Sequence, residues 1–195
     1  QKDSILNFSK AKPFNRLQVV RGAMGFKQQH PGVILSKTDE YNLQRLYVNN
    51  IEYLPDSQRI AIKSKKHIGP FYTTPANLYE VHVKDFDLVI NPIIQFKYMK
   101  ESDNDETLFL NSRGVSIRGR IANKIGFAAS ILDNQERDPL YVQSWENKFQ
   151  SVPGAGYYKN FKGTGYDYFD ARGYFTFNVT KYIDVAFGYD RNFIG

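Results

Sequence analysis

The chain has 195 residues, a net charge of +6, 42% hydrophobic and 15% aromatic residues, and no cysteine. The missing cysteines exclude disulfides, thiolate metal sites and thiol catalysis. No apolar run approaches the roughly 18 residues of a membrane-spanning helix, which leaves a β-barrel as the only way this stretch could cross a bilayer.

The positive balance does not call for nucleic acid. Apart from Lys63-Ser64-Lys65-Lys66-His67, the cations are dispersed. Anionic glycans or lipid headgroups match such a surface equally well. The chain opens on Gln1, as a processed, exported protein would after removal of its leader.

Residues 1–77 are mixed in pattern and predict a short helix near 38–50. Ser36 or Thr38 can cap its start, and Asp39 and Glu40 place negative charge in its first turn. Leu43, Leu46, Tyr47 and Ile51 recur at helical spacing, and Pro55 marks the stop. The short apolar stretch Ile60-Ala61-Ile62 follows, and then the basic run, expected to be a solvated periplasmic face.

From residue 78 the period becomes two, the signature of strands with unlike faces. The first strand is expected over Phe86–Met99. Leu88, Ile90, Ile94, Phe96 and Tyr98 share one face, and Asn91, Gln95 and Lys97 the other. Pro92 suggests an edge or a bulge. Tyr79, Val81 and Val83 alternate likewise, with a slip at Lys84-Asp85, so they form either a sixth short strand or a bulged start of the first. A second strand over Leu108–Ile121 sets Val115, Ile117, Gly119 and Ile121 against Ser116, Arg118 and Arg120. The wrong parity of Leu108 and Leu110 predicts a bulge near Arg113-Gly114.

The third strand is expected over Ile125–Leu132, the fourth over Ala171–Thr180 and the fifth from Ile183 to about Asp190. Between them the connections alternate in length. Lys100–Glu106 and a loop over 133–170 are long, while Ala122-Asn123-Lys124 and Lys181-Tyr182 are tight. Up-and-down pairing collects the tight turns at one end and the long loops at the other, the asymmetry of outer-membrane barrels. The fold class expected is therefore all-β: the N-terminal strands of an incomplete, antiparallel up-and-down outer-membrane β-barrel, 78–195, after a small α/mixed periplasmic segment, 1–77. The loop 133–170 is then extracellular, and strands one and five both rise toward the outside, where Gly195 lies. Arg118, Arg120, Arg172 and Asp184 are expected to face the lumen, with Arg–Asp pairs across neighbouring strands.

Three stretches carry a family resemblance: Leu108-Phe109-Leu110-Asn111-Ser112-Arg113-Gly114-Val115, Ser151-Val152-Pro153-Gly154-Ala155-Gly156-Tyr157-Tyr158, and Thr164-Gly165-Tyr166-Asp167-Tyr168-Phe169-Asp170-Ala171-Arg172-Gly173-Tyr174. With the ending Asp184–Gly195, they resemble Bacteroidetes outer-membrane proteins of the capsule-assembly Wzi-like family, a group that includes RemB-like gliding-motility proteins. The resemblance covers roughly 78–195. It implies a large barrel with a periplasmic helical part, and a role at the cell surface in exopolysaccharide attachment or motility.

No catalytic constellation is visible, and neither an enzyme nor a cofactor is expected. His30, His67 and His82 are scattered, so no metal site is expected. Glu101, Asp103, Asp105 and Glu106 begin like a calcium loop, but Thr107 and Leu108 break the pattern. Gly154-Ala155-Gly156 and Gly163-Thr164-Gly165 read as loop glycines, because neither follows a strand and opens a helix. The long loop is the candidate ligand site. Trp145, Tyr157, Tyr158, Phe161, Tyr166, Tyr168 and Phe169 lie among Lys148, Lys159 and Lys162. Flat rings can stack on sugars, and lysines can pair with acidic groups on them. The glycan-binding set expected is Trp145, Tyr157, Tyr158, Tyr166, Tyr168, Lys159 and Lys162. The partners expected are outer-membrane lipid and lipopolysaccharide, an anionic exopolysaccharide and other outer-membrane proteins. Two other functions fit the same residues: a structural subunit of a larger outer-membrane secretion or motility complex, and a soluble periplasmic carbohydrate-binding β-sandwich.

Overall fold

The computed structural model describes residues 15–64, 68–122, 124–180 and 183–191, without the side chain of Lys27. Most of the basic run, the turn Lys181-Tyr182, Asn123 and the ending 192–195 lie outside the described residues. The chain divides into two compact units, one up to Val89 and from Asp190 on, the other Ile90–Tyr189.

The first unit opens with α1 (Arg16–Gln29), α2 (Lys37–Val48), a 3₁₀ turn (Ile51–Tyr53) and α3 (Asp56–Ala61). The expected helix is α2. Its cap is Ser36, which accepts from the Asp39 N–H while Asp39 accepts from the Ser36 N–H, a complete capping box. Val20, Ile51, Leu54 and Val89 form the unit's core, with Met24, Tyr47, Tyr53 and Ile62 packed around them. Arg16 joins α1 to this core by donating from Nε to Asn50 Oδ1 at 2.7 Å and standing 3.6 Å from the buried Glu52.

Strands β1 (Phe71–Thr74) and β2 (Asn77–Val83) form a hairpin. With seven residues, β2 is too short to cross hydrocarbon, which takes about 9–11. The slip at Lys84-Asp85 is a turn between separate strands. Asp85 takes a left-handed φ of 63° there, which Asp tolerates better than most residues.

The remaining strands are β3 (Phe86–Met99), β4 (Leu108–Ile121), β5 (Ile125–Arg137), β6 (Lys159–Phe161), β7 (Gly165–Thr180) and β8 (Ile183–Tyr189), with α4 (Leu140–Phe149) between β5 and β6. They pair in the order β1-β2-β3-β4-β5-β7-β6, with β8 also on β7. The result is an eight-stranded, up-and-down antiparallel sheet that does not close.

Three expectations are corrected. First, β4 and β5 pair without interruption from Phe109↔Arg137 to Ile121↔Ile125, so this ladder has no bulge at Arg113-Gly114. Leu108 and Leu110 simply belong to the opposite face, where Leu108 is buried. Second, β5 and β7 extend beyond the expected ends and pair up to Glu136↔Tyr166. The long connection is therefore 138–164, and Tyr166, Tyr168 and Phe169 belong to a strand. Third, that connection is not irregular, because it contains α4 and β6. The tight connection between β4 and β5 is as expected: Ile121 pairs with Ile125, and the Lys124 N–H reaches the Ile121 carbonyl at 3.1 Å.

Candidate functional site

The continuous registers fix which side chains share a face. In β4, β5, β7 and β8, odd-numbered residues lie on one face and even-numbered residues on the other. The odd face carries successive rows: Ile121, Ile125, Phe177 and Val185; then Gly119, Phe127, Phe175 and Phe187; then Ile117, Ala129, Gly173 and Tyr189; then Val115, Ile131 and Ala171. Phe175, Phe177, Phe187 and Ile131 are exposed on it, and Ile94, Phe96 and Tyr98 are exposed along β3. Within Ile90–Tyr189, nothing among the described residues covers this face, and Phe187 is 75% accessible. A monomeric soluble domain rarely exposes so large an apolar patch.

Towards the long connections the odd face turns polar. Arg113 pairs with Asp133 across strands at 3.0 Å, and Gln135 donates to Asp167 at 3.2 Å. The apolar belt thus has an upper border.

The even face is polar where the odd face is apolar. Arg118, Arg120 and Arg172 lie on it, half-buried, with Ser116, Ser130 and Thr176. Arg172 pairs with Asp170 of its own strand, donating from Nε to Oδ1 at 2.9 Å. Asp184 is exposed and accepts from Asn178 Nδ2 at 2.9 Å. Arg113 and Asp133 form a cross-strand Arg–Asp pair, and it sits on the odd face.

The long-connection end is tied together by specific contacts. Glu101 accepts from the Leu140 N–H at 3.0 Å and so caps α4, whose own N-cap, Pro139, has no side chain that can do so. Thr164 donates to Glu106 at 2.6 Å. Arg137 reaches the carbonyls of Thr107 and Lys162 at 3.2 and 3.0 Å. The acidic loop therefore anchors its neighbour through Glu101 and Glu106.

This arrangement separates the expected glycan residues. Trp145 lies on α4, partly exposed, stacked on Phe149 with centroids 4.7 Å apart. Tyr157 is 96% exposed. Lys159 is exposed on β6, and Lys162 holds its ammonium 5.1 Å from the Phe161 ring. Tyr158 packs edge-on against Tyr166 at 4.6 Å, and Tyr166 is buried. Tyr168 is half-buried on the even face. Only Trp145, Tyr157 and the two lysines present themselves to a large ligand.

What Tyr166 and Tyr168 do face is a group absent from the sequence reading. Glu136, Asp138 and Glu146 converge, with ligand oxygens all within 4.8 Å of one another. Glu136 comes from the end of β5, where its partner in register is Tyr166. Glu146 comes from α4, on the same buried face as Gln143, which donates to the Asp138 carbonyl at 2.6 Å. Glu146 is fully buried, and neither of its carboxylate oxygens has a hydrogen-bond partner. Burial pushes its carboxyl up to about 8, the charges of Asp138 and Glu136 push the same way, and the neighbouring Tyr166 hydroxyl opposes them. Burial also raises Asp138, against the opposing pull of its contact with Glu146 and of the Lys97 charge. The sequence offered one signal for this site: a Glu three residues after Gln143 on the inner side of a helix that also carries Val142.

Comparison of the chain with known protein families, with curated proteins and with solved structures finds no match.

Proposed function

We propose that Ile90–Tyr189 is part of the wall of an outer-membrane β-barrel, with its odd face toward lipid and its even face toward the lumen. The long connections then lie outside the cell, and the helical unit lies in the periplasm. The observation that carries this reading is the uncovered apolar belt. On β7 it runs from Ala171, just below the Arg113–Asp133 row, to Val179, about 26 Å of strand at about 3.3 Å per residue. Tilted by about 40°, such a stretch rises about 20 Å, most of the roughly 25 Å apolar band of an outer-membrane barrel. A soluble sandwich would need a second layer over the belt, and the described residues of Ile90–Tyr189 do not supply one.

The role proposed is non-enzymatic: holding an anionic exopolysaccharide at the cell surface, in the manner of the Wzi-like capsule-assembly and motility proteins that the sequence resembles. Exposed Trp145 and Tyr157 beside Lys159 and Lys162 support a sugar ligand with acidic groups. A subunit of a larger secretion or motility complex would share the same wall and differ only in what these residues hold. Alkaline carbonate extraction of cell membranes tests the wall. The protein is expected to stay in the outer-membrane pellet, with residues 138–164 cut by protease added to intact cells. Release into the supernatant would overturn the reading.

A further inference from the structure

We infer that Glu136, Asp138 and Glu146 form a binding site for a hard divalent cation, Ca²⁺, that fastens α4 to the upper ends of β5 and β7. Two independent observations carry this. The first is the convergence itself, with oxygens from a strand end, the residue after it and a helix all within 4.8 Å of one another. Ca²⁺ binds oxygens at about 2.3–2.6 Å, so ligands on opposite sides of one ion stand about 4.6–5.2 Å apart. Mg²⁺ demands near-octahedral geometry and sheds its waters reluctantly, so three carboxylates from separate elements suit Ca²⁺ better.

The second observation is Glu146. It is fully buried, it points into the group, and both its oxygens lack a hydrogen-bond partner. A buried carboxylate with no well-formed hydrogen bond, and only the Tyr166 hydroxyl nearby, is costly, and a cation in the group supplies what the protein does not. Lys97 is the basic side chain whose charge reaches Glu136 and Asp138. It is exposed on β3, so it cannot fill the space between three carboxylates.

The donor set selects the ion. It holds carboxylate oxygens and no imidazole, and the chain has no thiol, which favours Ca²⁺ over Zn²⁺ or Cu²⁺. The site also has a structural consequence. α4 presents only Gln143 and Glu146 as buried side chains, so it has little apolar surface with which to hold itself down. Ionic fastening through Glu146 replaces the missing hydrophobic contact. None of this depends on the membrane reading, because the three carboxylates converge within one compact unit whatever solvent bathes its odd face.

Terbium luminescence tests the site on the full chain in mild detergent. Tb³⁺ substitutes for Ca²⁺, and Tyr166 and Tyr168 beside the carboxylates would sensitise its emission. The wild-type chain is expected to light up on Tb³⁺ addition at pH 7.5 and to be quenched by Ca²⁺ at or below about 1 mM, the weak end of protein calcium sites. Glu146→Gln and Asp138→Asn should each weaken binding at least about tenfold, by loss of a direct ligand. Asp103→Asn, in the exposed acidic loop, should leave it unchanged. Calcium should also slow proteolysis within 138–164 in wild type and not in Glu146→Gln. Wild-type emission that Ca²⁺ fails to displace, equal displacement by Mg²⁺, or unweakened binding in both carboxylate variants would overturn the proposal. If Glu146→Gln does not fold, Asp138→Asn decides alone.

Discussion

Phe175→Arg is expected to destabilise the protein in lipid vesicles by about 2–4 kcal/mol, the cost of an Arg on the lipid face near the bilayer midplane. Phe175 lies in the row Gly119, Phe127, Phe175 and Phe187, at the middle of the belt from Ala171 to Val179. Its neighbour Thr176 is on the opposite face, in a row with Arg120, Gly126 and Ala186. Thr176→Arg should therefore cost little, because that face already holds half-buried arginines. Urea titration of the two variants in vesicles, read as the folded fraction on unheated gels, gives the comparison. Equal costs would mean that the two faces see the same surroundings.

The second large effect concerns pH and the β1–β2 hairpin, which lies outside the spanning strands. His82 donates from Nδ1 to Asp87 at 2.7 Å, and its Nε2 stands 3.6 Å from Glu80. Arg59 also reaches Asp87, at 2.9 Å. Burial alone would lower the His82 pKa, but hydrogen bonding to Asp87 and Glu80 and their charges outweigh it and raise it from 6.5 to about 9. Burial would likewise raise Glu80. Hydrogen bonding with His82, Asn77, Thr73 and Thr74 outweighs that and lowers it from 4.5 to about 2.

The signs follow from linkage. The raised His82 contributes stability that is complete below about pH 6.5 and is lost as pH climbs through about 9. The depressed Glu80 contributes stability that is complete above about 4.5 and is lost as pH falls through about 2. The hairpin is thus firmest between about pH 4.5 and 6.5. Protease protection of residues 71–89 in urea should weaken from pH 6 to pH 10, and His82→Gln should flatten that alkaline limb. An NMR titration of the His82 ring with a midpoint near 6.5 would contradict the assignment.

Where two unlike environments meet a strand, the sequence was easy to read. β3 and β4 have the expected limits, because apolar and polar side chains alternate along them until a loop begins. The upper parts of β5 and β7 were not legible for the same physical reason. There Arg113, Asp133, Gln135 and Asp167 occupy the odd face. Both faces are then polar, and a period of two in hydrophobicity disappears although the backbone pairing continues. α4 was hidden because its buried face is Gln143 and Glu146 rather than an apolar stripe. The ring-and-lysine set in the long connection was only partly a unit. Tyr166 and Tyr168 are carried away from Tyr157 by strand pairing that composition does not encode. The carboxylate group was missed because Glu136 and Glu146 lie on different elements and meet only when α4 folds back.

The central claim is that the odd face meets lipid. With no native cysteine to remove, single cysteines at Phe175, Phe177 and Phe187, and at Tyr174 and Thr176, can carry nitroxide spin labels in reconstituted vesicles. Labels at Phe175, Phe177 and Phe187 should collide with dissolved oxygen and be shielded from a water-soluble nickel chelate, and labels at Tyr174 and Thr176 should show the reverse. Nickel access equal at all five positions would place both faces in water and contradict the account.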